Sequence, residues 1–302
     1  MSSDPKPRRS RLALAAIAVV AAIPLVGANS ASAANYASPY DVFNGCPVDN
    51  PDFLAADGEA GCVGAVAHEG TMKLGNMEAV LGPMVTSMGV YVTQAEPNAP
   101  VTLPGAGGNS IAAEPVTVPG GLLNMMCPGA STNVITQLCK TLADSALNKV
   151  TATAVSAGTP EFSLDPGPTV PIKIKLNNPL LGNNCYIGSD ANPIVLELAL
   201  APAGDSAEIV LLPPIPGYEL AGFLGLAGLK FTDETFEVPK AKGCGPLNLF
   251  DGAINNRVGL PSPSGNNSIT LLGDSYIAIA SSFNGIPNPG EYLHDALAST
   301  AQ

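Results

Sequence analysis

Few residues in this chain have the types and spacing that catalysis or ligand binding demands. The candidates are a serine set in Gly273-Asp274-Ser275, two histidines (His68 and His294), six cysteines and a small group of carboxylates. A serine nucleophile needs a base within hydrogen-bond reach and a third group to orient that base. Histidine is the side chain best suited to moving protons near neutral pH. Paired carboxylates such as Asp233-Glu234 with Glu237 suit glycoside hydrolysis or calcium. Four methionines, Met72, Met77, Met84 and Met88, with His68 nearby, form a conceivable Cu(I) set, because thioether is a soft ligand.

Each candidate has a plainer reading. Gly273-Asp274-Ser275 follows the apolar run Ile269-Thr270-Leu271-Leu272 and resembles the nucleophile block of the Gly-Asp-Ser-Leu hydrolases. Tyr276 stands where that family has leucine, and only residues 276–302 follow, too few for the α/β domain the family places after its serine. The family's Asp-x-x-His is also missing, since His294 and Asp295 are adjacent and reversed. A Gly-Asp-Ser turn between two strands accounts for the same residues. Asp233 and Glu237 fall on a β-like run where even spacing puts both on one solvated face. Methionine is an adaptable core filler. The chain contains no Gly-x-Ser-x-Gly elbow, His-Glu-x-x-His helix, phosphate loop or EF-hand loop. The sequence therefore assigns no catalytic residue, no cofactor site and no metal ligand.

Six cysteines suit three disulfides in an oxidising compartment. Spacing suggests Cys46 with Cys62, Cys127 with Cys139, and Cys185 with Cys244. A metal site would call for closely paired thiolates, and no Cys-x-x-Cys occurs.

The N-terminus reads as an export signal, residues 1–33. Lys6, Arg8, Arg9 and Arg11 precede the apolar run from Leu12 to Gly27, and Ala31-Ser32-Ala33 fits the cleavage pattern. That run is shorter than the roughly 20 residues that span a bilayer, and no second apolar run is long enough to do so. Removing the leader would take the whole-chain charge of −12 to about −15. Such a surface repels nucleic acid and anionic lipid. With no tryptophan and 5% aromatic residues, stacking on sugars is disfavoured. The expected location is secreted, either extracellular or loosely associated with the cell envelope.

Glycine (32) and proline (29) cut the chain into short elements. The fold class expected is mainly β, with antiparallel sandwich- or barrel-like sheets, two short helices and disulfide staples. It forms a domain over 34–302 with a possible lobe boundary near 158–168. Ala34 to Gly61 reads as an exposed loop, Val63 to Thr93 as several short strands, and Ala113 to Pro119 as an edge strand on account of its prolines. One helix is expected after Ser131 or Thr132 on the spacing of Val134, Ile135, Leu138 and Leu142. The other is expected across Leu247, Phe250, Ile254 and Val258. Lys149 to Ala157, Glu208 to Leu212, Lys230 to Val238, Ser268 to Leu272 and Ser275 to Ala280 read as strands, and Glu291 to Ala298 as a last helical turn. Val170 to Leu176 and Ile194 to Leu200 alternate apolar and polar residues and read as a hairpin about an Asn/Gly/Pro-rich connection.

Several blocks together resemble an uncharacterised family of secreted actinobacterial proteins. They are Pro119-Gly120-Gly121-Leu122, Val150 to Pro160, the Asn178-Pro179-Leu180-Leu181-Gly182 to Asn192-Pro193-Ile194 stretch around Cys185-Tyr186-Ile187-Gly188-Ser189, and Phe236-Glu237-Val238-Pro239 leading to Gly243-Cys244-Gly245. The resemblance implies export and a β-rich fold, brings no catalytic residue, and supports Cys185 with Cys244. The function expected is that of a non-enzymatic secreted or envelope-associated protein acting by surface contacts. The alternative is a module binding a small apolar ligand between sheets, and a hydrolase stands third.

Overall fold

The computed structural model describes residues 38–126, 146–163, 167–202 and 207–300. The leader, the helix expected after Ser131, and Cys127 with Cys139 lie outside the described residues.

Two antiparallel sheets dominate, and neither closes into a barrel. In chain order, β1 (Glu59–Leu74), β2 (Met77–Leu81), β3 (Met84–Val92), β4 (Val101–Pro104) and β5 (Ile111–Ala113) belong to the larger sheet. The smaller sheet takes β6 (Val116–Thr117), β7 (Thr151–Ser156), β8 (Thr169–Asn177), β9 (Tyr186–Ile187) and β10 (Ile194–Glu197). The chain then returns to the larger sheet with β11 (Ala199–Pro202), β12 (Glu208–Leu211) and β13 (Gly222–Asp233). It visits the smaller once more with β14 (Ala241–Lys242) and ends in the larger with β15 (Ser268–Ser281). The larger sheet is ordered β11-β13-β15-β1-β3-β4, and the smaller β14-β9-β8-β7-β6.

Four α-helices occur among the described residues: α1 (Pro51–Leu54), α2 (Gly121–Met126), α3 (Asp251–Val258) and α4 (Pro289–Ala298). The helix expected from Leu247 begins only at Asp251. Leu247 itself adopts a left-handed conformation (φ 53°) and is exposed, while Ile254 and Val258 do face the core. Helix α4 is longer than the single turn expected. Residues 38–61 are less exposed than their composition suggested, because Val42, Phe43 and Phe53 are buried.

The short strands expected over residues 63–74 are one strand of 16 residues, β1. Its glycines do not break it, because it is paired along both edges, to β3 and to β15. Tertiary pairing overrides the weak intrinsic preference of glycine. Four methionines follow the core-filling reading: Met72 and Met88 are buried, and Met77 and Met84 pack against the core.

The larger sheet carries two cores on opposite faces. On β15, Ile269 and Leu271 point into a core shared with Ile172, Ile174 and Leu176 of β8. Ala278 and Ala280 point into a second core with Phe43, Phe53, Leu293 and Ala296. Odd and even residues of one strand face opposite sides, so the smaller sheet, with Leu122 of α2 and Ile254 and Val258 of α3, covers one face at one end, and α1 and α4 cover the other face at the other end. Disulfide Cys46–Cys62 ties the N-terminal segment to β1, and Cys185–Cys244 joins the loop before β9 to the turn before α3. Both pairs agree with the spacing. Strands β7 and β8, which flank residues 158–168 in the sequence, pair with each other in one sheet.

Candidate functional site

The residues singled out for hydrolysis are not brought together. Gly273-Asp274-Ser275 is no turn but the middle of the unbroken strand β15. Ser275 pairs with Ala65 and Leu226 and lies on the face opposite Asp274. His294 is held by Asp49 (3.1 Å) and Asp295 (2.9 Å) on α4.

Asp274 and His68 do meet, and the reason is architectural. Both neighbours of β15 bulge at this level: β1 carries His68 as an extra residue between Ala67 and Glu69, and β13 fits Ala227 and Gly228 opposite Asp274. Gly228 has φ 70°, the left-handed bulge position that glycine fills without strain. The buried carboxylate spans both irregularities, accepting from the Gly228 N–H at 3.0 Å and meeting the His68 Nε2 at 2.9 Å. Asp274→Ala should therefore orphan a bulge amide and a histidine. We expect a loss of about 2–3 kcal/mol, read as a thermal midpoint lower by roughly 5–10 °C. An unchanged midpoint would show that the bulges do not depend on the carboxylate.

A different site emerges where the alternating run Ile194–Leu200 divides. Its first half, β10, pairs with β8, and its second half, β11, pairs with β13 in the other sheet. The pivot is Leu198, whose N–H donates to the Pro168 carbonyl at 3.0 Å. Opposite, β13 ends at Asp233. That residue is buried rather than on a solvated face, which corrects the sequence reading. Its carboxylate takes over from the ladder at the fork: one oxygen accepts the Glu197 N–H, and the other accepts the Thr235 N–H and hydroxyl, each at 2.7 Å. With both oxygens so engaged, Asp233 positions the chain and leaves no pair with Glu237 for calcium.

Past the fork the two arms part. The strand expected to reach Val238 stops at Asp233; beyond it Phe236 and Val238 are buried and Glu237 is exposed. Val238 exchanges backbone hydrogen bonds with Ser262 (2.8 and 2.9 Å), and the Asn267 amide donates to the Phe236 carbonyl at 2.9 Å. Between the arms opens a groove of about 710 Å³, lined by residues drawn from 192–197, 235–239 and 261–263. Among the lining residues only Glu197 and Glu237 carry charge.

The backbone of β10 faces this groove with unused capacity. Alternate residues of an antiparallel strand direct their N–H and C=O to opposite edges. Leu198 hydrogen-bonds on the β8 side, whereas Glu197 directs its N–H to Asp233 on the other. Val195 shares the direction of Glu197. Its opposite number on β8 is Pro171, which has no N–H and whose carbonyl accepts from Ala157 of the far side. Among the described residues β10 pairs with β8 alone, so the Val195 N–H and C=O point into the groove. The sequence signal for this site was present in Val-Leu-Glu and Thr-Phe-Glu-Val-Pro, but only the fork joins them. Family models, curated proteins and solved structures were all compared with the chain, and none matches it.

Proposed function

We propose that this chain is an exported, non-enzymatic binding protein that works by surface contact, taking an extended segment of a partner protein into the groove beside β10. The single observation that carries this reading is the outward backbone of Val195 in a groove whose charges are Glu197 and Glu237. An extended peptide laid along an open strand edge gains main-chain hydrogen bonds, and flanking side chains supply selectivity. Two carboxylates favour a segment bearing lysine or arginine. Two disulfides suit an oxidising compartment, in keeping with export. The alternative of a small apolar ligand between sheets has less support, because the groove is open and carries two carboxylates.

The test uses a fluorescein-labelled, end-capped peptide alternating valine and lysine, and its valine–glutamate counterpart, followed by anisotropy. We expect the lysine peptide to bind and the glutamate peptide not to. Val195→Pro removes an N–H that no strand uses, so the fold should persist, while affinity falls about tenfold, the equivalent of one backbone hydrogen bond. Glu197→Lys with Glu237→Lys should reverse the preference. Equal binding of both peptides, or indifference to Val195→Pro, would sink the reading.

A further inference from the structure

A second open edge, of different chemistry, lies on the larger sheet. Strand β12 pairs with β13 in the register Glu208 to Ala227 through Leu211 to Leu224, and the ladder continues with the Leu212 N–H donating to the Phe223 carbonyl at 3.3 Å. That bond fixes the parity: even residues bond to β13, and Ile209 and Leu211 direct N–H and C=O outward. Among the described residues β12 has no other strand partner. Their side chains are as open as their backbone, Ile209 at 66% and Leu211 at 58% exposure. Across the sheet Leu211 lines up with Leu224 and Ile277, and Ile209 with Leu226 and Ser275, all four only half-buried. From Ile209 to Pro214 the chain carries no charge, and Pro213 and Pro214 bar further pairing. Just past the strand, the Tyr40 hydroxyl donates to the Pro213 carbonyl, so the end of the edge is held in place.

We propose that β12 is a self-association edge, pairing antiparallel with β12 of a second copy of this chain about a two-fold axis through Val210. The strand's self-complementarity favours a second copy. A two-fold at Val210 sets Ile209 opposite Leu211 of the second copy, and each such pair exchanges both of its outward hydrogen bonds. The four apolar side chains then meet on one face and extend the surface of Leu224 and Ile277. Each chain carries a net charge of −12, so copies repel except where neither brings charge, and β12 is such a place. Glu208 does not oppose itself in this register. It faces Leu212 of the second copy, which offsets the two carboxylates by about 13 Å along the strand, beyond a Debye length at physiological salt. The prolines limit the pairing, and an isologous interface closes at two copies instead of propagating.

The experiment is sedimentation of the full exported chain across a concentration series, with amide hydrogen exchange on the same samples. We expect a monomer–dimer equilibrium in which the Ile209 and Leu211 amides slow as dimer accumulates, while the Val195 amide is unchanged. Leu211→Pro deletes an N–H that β13 does not use, and Ile209→Lys places a charge at the joint. Each should weaken dimerisation at least tenfold with the circular dichroism spectrum unaltered. A monomer at every concentration, a dimer indifferent to both substitutions, or protection falling on Val195 instead would each overturn the proposal.

Discussion

Replacing Gly273 by alanine should prevent the larger sheet from closing in its native register, with a cost of at least about 4 kcal/mol. A β-carbon at this position would lie 1.9 Å from the Val66 carbonyl oxygen and 2.8 Å from the Ala67 Cα. Both obstacles are backbone of the paired strand, so no side chain can swing aside. The only relief is to part β1 from β15, the pairing that joins the two halves of the larger sheet. The same substitution at Gly252 meets nothing within 4 Å and lies in α3, so Gly252→Ala is the control, expected to be neutral or slightly stabilising. Comparison of the two in chemical unfolding separates steric exclusion from a general glycine effect. Equal midpoints for Gly273→Ala and wild type would contradict the close strand approach.

The second large effect belongs to Cys185–Cys244. This bond closes a loop of 59 residues, for which the chain-entropy account gives about 4 kcal/mol. Both sulfurs are fully buried, in the core that joins the two sheets. Replacing both cysteines by alanine should lower the midpoint by roughly 8–15 °C. The loss should exceed that from removing Cys46–Cys62, whose separation is 16 and whose entropy term is about 3 kcal/mol. If the shorter loop proved the costlier to open, local packing rather than loop entropy would govern both.

How much of this was legible beforehand differs by element. The alternation in Val170–Leu176 announced β8, whose residues do alternate between buried and half-buried, and cysteine spacing gave both described disulfides. Glycine misled in two places. The strand expected from Lys230 begins already at Gly222, so Gly222, Gly225 and Gly228 lie inside β13. Gly225 is required there because a β-carbon would lie 2.5 Å from the Tyr276 ring. Gly-Asp-Ser has turn composition, but pairing on both edges of β15 overrode it.

The groove was hidden for another reason. Ile194, Leu196, Leu198 and Leu200 share one parity, and each is buried or half-buried whichever sheet it joins, so alternation cannot show that the strand changes sheets at Leu198. The displaced partner, Asp233, reads as a surface acid. Its burial follows from the amides of Glu197 and Thr235, which only the fold brings to it. A site made by the parting of two strands has no local motif.

The central claim is that β10 offers an open edge to a partner strand, and amide hydrogen exchange at Val195 tests it most directly. In the free protein the Val195 amide should exchange fast while Leu196 and Leu198, bonded toward β8, exchange slowly. Addition of the valine–lysine peptide should slow Val195 and leave Ile209 unchanged. A Val195 amide already protected in the free protein, or one that stays fast while the peptide is bound, would contradict it.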